Sequence, residues 1–149
     1  MAISPEDDVL QFAIYREVEA HYFYLALAER VSTPYMRKVF EELAEEELEH
    51  KAKLELEMMK MGKTVKTDLP PKVAGRQYIL SDTEAALDMD FKDMLLLGIT
   101  KEDASFRTYV DLAAHAADKE SRELLLSLAE EELRHKIRFE KEYETLLHK

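Results

Sequence analysis

The chain has 149 residues, 46% hydrophobic and 36% charged, with a net charge of −11. It contains no cysteine, which excludes disulfides, thiolate zinc sites, iron–sulfur clusters and cysteine nucleophiles. The acidity opposes binding to nucleic acid or to an anionic membrane surface.

Only three Gly and four Pro interrupt a chain rich in Glu, Lys, Leu and Ala, so long helices are expected and no sheet. A first helix is predicted from Ser4-Pro5, a capping hydroxyl followed by Pro, to about Val31, where Ser32-Thr33-Pro34 stops it. A second runs from about Tyr35 to Met61 and ends at Gly62. A breaker-rich stretch follows from Lys63 to Gly75, and a short helix is expected after Ser81, with Glu84 completing a capping box. A third long helix spans about Asp90 to Ala116. A fourth begins after a break near Asp118 and runs almost to the C-terminus. Two short turns and one long connection predict an all-α, ferritin-like antiparallel four-helix bundle with a crossover between the second and third helices. No basic or apolar leader opens the sequence, and no apolar run is long enough to span a bilayer, so a cytoplasmic protein is expected.

The sequence repeats itself at an offset of 85 residues. Leu43-Ala44-Glu45-Glu46-Glu47-Leu48-Glu49-His50-Lys51 returns as Leu128-Ala129-Glu130-Glu131-Glu132-Leu133-Arg134-His135-Lys136. In the same register Leu10, Ile14, Glu17, Tyr24 and Leu27 return as Leu95, Ile99, Glu102, Tyr109 and Leu112. One register that aligns both helices of each half is the mark of a duplication. A single domain of two pseudo-repeats, about 5–62 and 90–148, is expected.

The 3-4 spacing that lines a bundle core picks out polar residues in apolar stripes. In the second helix the stripe reads Phe40, Leu43, Glu47, His50, Leu54, Met58, Met61. In the fourth it reads Leu125, Leu128, Glu132, His135, Phe139. The first helix gives Leu10, Ala13, Glu17, Ala20, Tyr24, Leu27. The third gives Leu95, Gly98, Glu102, Ser105, Tyr109, Leu112. Glu17 and the Glu47/His50 pair lie at similar distances from their turn, as do Glu102 and the Glu132/His135 pair. At ~1.5 Å rise per residue each hairpin therefore brings its three groups to one level.

Buried carboxylates without cations would be costly, and no Lys or Arg falls in these stripes. Two divalent ions would neutralise four carboxylates, and a Glu and a His three residues apart can reach the same metal. Small residues at Ala13, Ala20, Gly98 and Ser105 are expected to leave room for the ions. Carboxylate oxygens with one imidazole per metal suit iron or manganese better than copper, and zinc can occupy such sites adventitiously. The expected ligands are Glu17, Glu47, His50, Glu102, Glu132 and His135. His21, His115 and His148 fall outside the stripes and read as surface or packing residues.

With Tyr24 and Tyr109 each seven residues beyond a stripe glutamate, this ordered set over residues 5–148 resembles the rubrerythrin branch of the ferritin-like superfamily. The resemblance implies two iron ions, with Glu17 and Glu102 as terminal or shifting ligands, Glu47 and Glu132 bridging, and His50 and His135 each capping one metal. It also implies that Tyr24 and Tyr109 hydrogen-bond ligand carboxylates. The chain departs from that pattern in having Ser105 where rubrerythrins carry a further glutamate. It also lacks the four cysteines of a rubredoxin domain, so electrons would come from a separate donor protein. The implied activity is reduction of hydrogen peroxide or dioxygen, with oxidation and handling of ferrous iron as the alternative. The expected assembly is a homodimer without nucleic-acid or membrane partners.

Overall fold

The computed structural model describes residues 8–66 and 90–148. The chain divides into two compact units, Met1–Leu87 and Asp88–Lys149, each built on one helical hairpin. The first pairs α1 (Val9–Arg30) with α2 (Pro34–Lys60). The second pairs α3 (Phe91–His115) with α4 (Lys119–Leu147). Among the described residues there is no strand. The expected short helix after Ser81 lies outside them.

Local chemistry sets the helix ends. Asp8 caps α1, its Oδ1 accepting from the amides of Leu10 at 2.8 Å and Gln11 at 3.4 Å. The helix thus starts at Val9, later than the Ser4-Pro5 signal suggests, and those two residues lie outside the described part. The other oxygen of Asp8 pairs with Lys63 Nζ at 2.7 Å, tying the start of α1 to the chain leaving α2. Pro34 opens α2, where its missing N–H costs nothing. Gly62 closes it at φ +73°, with Lys63 N donating to Met58 O at 2.9 Å and Gly62 N to Met59 O at 3.0 Å. These two bonds make a Schellman ending, which a left-handed glycine permits. Asp90 caps α3 through the Asp93 amide, and Asp118 caps α4 through the Ser121 amide, each at 2.9 Å.

The duplication is visible in these boundaries. α1 ends at Arg30 and α3 at His115, and α2 begins at Pro34 and α4 at Lys119, so both breaks fall 85 residues apart. Burial repeats as well. Leu10, Tyr24, Leu27, Phe40, Leu43 and Leu54 are buried, and so are Leu95, Tyr109, Leu112, Leu125, Leu128 and Phe139 at the matching positions. Met61 departs from its predicted stripe. It sits at the C-cap beyond the last helical residue and is 37% exposed.

Candidate metal centre

Each hairpin sets two carboxylates and one imidazole into an apolar interior. On the first, α1 supplies Glu17 and α2 supplies Glu47 and His50. On the second, α3 supplies Glu102 and α4 supplies Glu132 and His135. All four glutamates are 1% exposed. His50 Nδ1 stands 3.4 Å from Glu17 Oε2 and 3.9 Å from Glu47 Oε2, and His135 Nδ1 stands 3.5 Å from Glu102 Oε1. Within each hairpin the three residues offer ligand atoms lying within 4.8 Å of one another. Nδ1 is the ring nitrogen turned toward the carboxylates in both.

This donor set suits a hard or borderline divalent cation. Two carboxylates balance one such ion, and the imidazole adds a neutral nitrogen without further charge. The electrostatics without metal point the same way. Burial, and then the neighbouring Glu132 carboxylate, push the Glu102 carboxyl well above its ordinary value of 4.5, against a smaller lowering by His135. A raised folded-state pKa makes the folded protein hold its proton longer than the unfolded chain does. The metal-free protein therefore loses stability as pH rises from about 4.5 through the folded value. Melting of metal-free protein and its Glu102→Gln variant should show it. The variant's advantage is expected to grow from pH 4.5 to pH 8, and a constant difference would mean that Glu102 carries no such strain.

The small residues flanking the glutamates divide. Ala13 is buried, and Ala20 and Ser105 are half-buried. At Gly98 the expected room is already taken. A Cβ there would meet the Phe139 ring at 3.0 Å, so this glycine serves helix packing rather than ion space. Phe139 follows His135 by about one turn, and its ring fills the gap.

Tyr24 and Tyr109 are both buried at 2% exposure on the expected stripes. Glu46 and Glu131, which precede the α2 and α4 glutamates, are half-buried. Two contacts that cross between helices leave no mark in the apolar stripes. His21 Nδ1 lies 2.8 Å from Ala44 O, and Asp103 Oδ1 lies 3.0 Å from Lys136 Nζ. Both sit on the flanks of their helices, where no apolar periodicity marks a residue. His115 instead bonds within its own helix, Nδ1 to Asp111 O at 2.8 Å.

Comparison with known proteins bears on this geometry. The rubrerythrin family model matches residues 8–143. Comparison with curated protein sequences gives no match. A solved hypothetical protein from Pyrococcus furiosus is similar at 25% identity and a TM-score of 0.70, covering 94% of this chain and 89% of its own. A conserved hypothetical protein from Mycobacterium tuberculosis shares the fold at 15% identity and a TM-score of 0.69, with 91% of this chain and 87% of that one covered. The fold is the all-α, ferritin-like four-helix bundle. Among the described residues no helix is long and apolar enough to cross a membrane.

Proposed function

Because the chain belongs to the rubrerythrin family, whose domains bind di-iron centres, we propose that it is a di-iron redox protein reducing hydrogen peroxide or dioxygen. Glu17, Glu47 and His50 would hold one iron, and Glu102, Glu132 and His135 the other. The observation that carries this reading is the burial, in each hairpin, of two carboxylates beside one imidazole. Two buried carboxyls per hairpin would carry a heavy desolvation cost as bare anions in a polar layer, and once ionised they match the charge of one divalent cation.

Bound ferrous ions would supply the electron pair that reduces a peroxide to water, whereas dioxygen needs four electrons for full reduction. The protein's part is to hold and insulate. Glu102 gives up its proton when a cation takes its place. His50 and His135, as neutral donors, limit the anionic charge around the ions. The apolar neighbours Leu43, Leu54, Leu128 and Phe139, all essentially inaccessible, keep bulk water from the carboxylates. Tyr24 and Tyr109 are assigned, on the family resemblance, to hydrogen-bond ligand carboxylates. The chain has no cysteine for a cluster of its own, so a separate protein would return the electrons. A homodimer suffices for such an enzyme.

Ser105 favours a second reading. It stands where rubrerythrins carry a further carboxylate, and its loss suits a ferroxidase that oxidises and handles ferrous iron. Storage would need a closed shell of many subunits, so the assembly state separates the two readings.

The direct test mixes anaerobic iron-loaded protein with equal concentrations of each oxidant and follows the ferric charge-transfer absorption. Peroxide is expected to react much faster than dioxygen. Equal rates, or faster reaction with dioxygen, would favour the ferroxidase or oxidase reading.

A further inference from the structure

Holding a cation between two helices demands more than the right residues. A helix rotation of about 10° moves a side-chain tip at ~5–6 Å radius by about 1 Å, and metal sites tolerate about half that error. Each hairpin makes a cross-helix link at the level of its carboxylates, and the two links use different chemistry.

On the first hairpin His21 lies one turn beyond Glu17, and Ala44 lies one turn before Glu47. The carbonyl of Ala44 can only accept, so Nδ1 of His21 carries the hydrogen and donates to it at 2.8 Å. His21 is half-buried and Ala44 is 1% exposed. On the second hairpin Asp103 is the neighbour of Glu102, and Lys136 is the neighbour of His135. Asp103 Oδ1 meets Lys136 Nζ at 3.0 Å, and Oδ2 accepts from Arg107 Nε at 2.8 Å. The duplication does not exchange these devices. The position matching His21 is Phe106, and the position matching Asp103 is the buried Val18. Lys51, the match of Lys136, pairs along its own helix with Glu55 at 3.1 Å.

We propose that His21 and Asp103 are positioning residues, one per hairpin, each setting the geometry of the metal position on its own hairpin. His21 fixes the spacing of α1 and α2 for Glu17, Glu47 and His50. Asp103, through Lys136, fixes that of α3 and α4 for Glu102, Glu132 and His135. This rests on the reading of the two clusters as metal positions.

The test is anaerobic calorimetric titration of the full chain with ferrous iron in two backgrounds. His135→Ala leaves the first cluster intact, and His50→Ala leaves the second. Asp103→Asn is expected to weaken ferrous binding about tenfold in the His50→Ala background and to leave it unchanged in the His135→Ala background. Lys136→Gln should repeat this pattern, and Asp103→Glu should retain most of the affinity. His21→Phe, which installs the residue natural to the matching position, should do the reverse, weakening binding only where the first cluster is intact. A general loss of stability would move both backgrounds alike. Effects equal in both, or absent from both, would overturn the proposal while leaving the metal reading in place. Failure of the unsubstituted protein to bind ferrous iron would overturn both together.

Discussion

Loading the metal-free protein with ferrous iron is expected to raise its melting temperature by roughly 8–16 °C for each site filled. A ligand that binds only the folded state, at a thousand times its Kd, stabilises by about 4 kcal/mol. For a chain of this size each kcal/mol shifts melting by about 2–4 °C. The stabilisation has a specific origin. Without metal, Glu17 and Glu47 are buried together beside His50, and Glu102 and Glu132 beside His135. The raised Glu102 pKa is one expression of the cost. A cation on each cluster replaces that repulsion with attraction. Differential scanning calorimetry before and after anaerobic loading measures the shift, and a change within about 2 °C would leave the buried acids without the proposed partner.

Glu47→Gln should have opposite effects on the two forms. The substitution keeps the shape of the side chain and removes its charge. In the metal-free protein it relieves repulsion within the cluster, so the variant should melt no lower than the parent at pH 7, with a stability gain of about 1 kcal/mol. In the iron-loaded protein it removes a proposed ligand. Even residues that merely orient ligands cost 10–100-fold in affinity or activity when changed, so the peroxide rate should fall by at least about 100-fold. Stability and activity then move in different directions. Were Glu47 part of a purely structural hydrogen-bonded layer, the same substitution would lower stability and have no rate to lower. Thermal melting of the metal-free variant, beside stopped-flow oxidation of the loaded one, separates the two accounts.

Much of this arrangement is legible in the residues themselves. Glu17, Glu47, Glu102 and Glu132 interrupt apolar stripes, and helical periodicity alone places them inward. The structure buries each of them. Gly62, Asp90 and Asp118 mark helix ends because their backbone and capping chemistry is local. What escaped the sequence depends on partners far along the chain. Ser4, by the Pro that follows it, signals a helix start, whereas the cap of α1 is Asp8. Asp8 also meets Lys63, a partner no local pattern announces. Gly98 reads as space until the Phe139 ring is seen to occupy it. His21 and Asp103 lie on helix flanks, where the rotation of one helix against its neighbour decides whether a polar group is a solvent residue or a cross-helix tie. Periodicity is blind to that rotation.

The central claim is that this chain holds two metal ions, one per hairpin, on Glu17, Glu47 and His50 and on Glu102, Glu132 and His135. Elemental analysis after anaerobic ferrous loading and removal of free metal tests it most directly. The expected value is two ions per chain, falling toward one in His50→Ala and likewise in His135→Ala. A saturating value near zero would contradict the account, and a value near one in the unsubstituted protein would contradict its symmetric form.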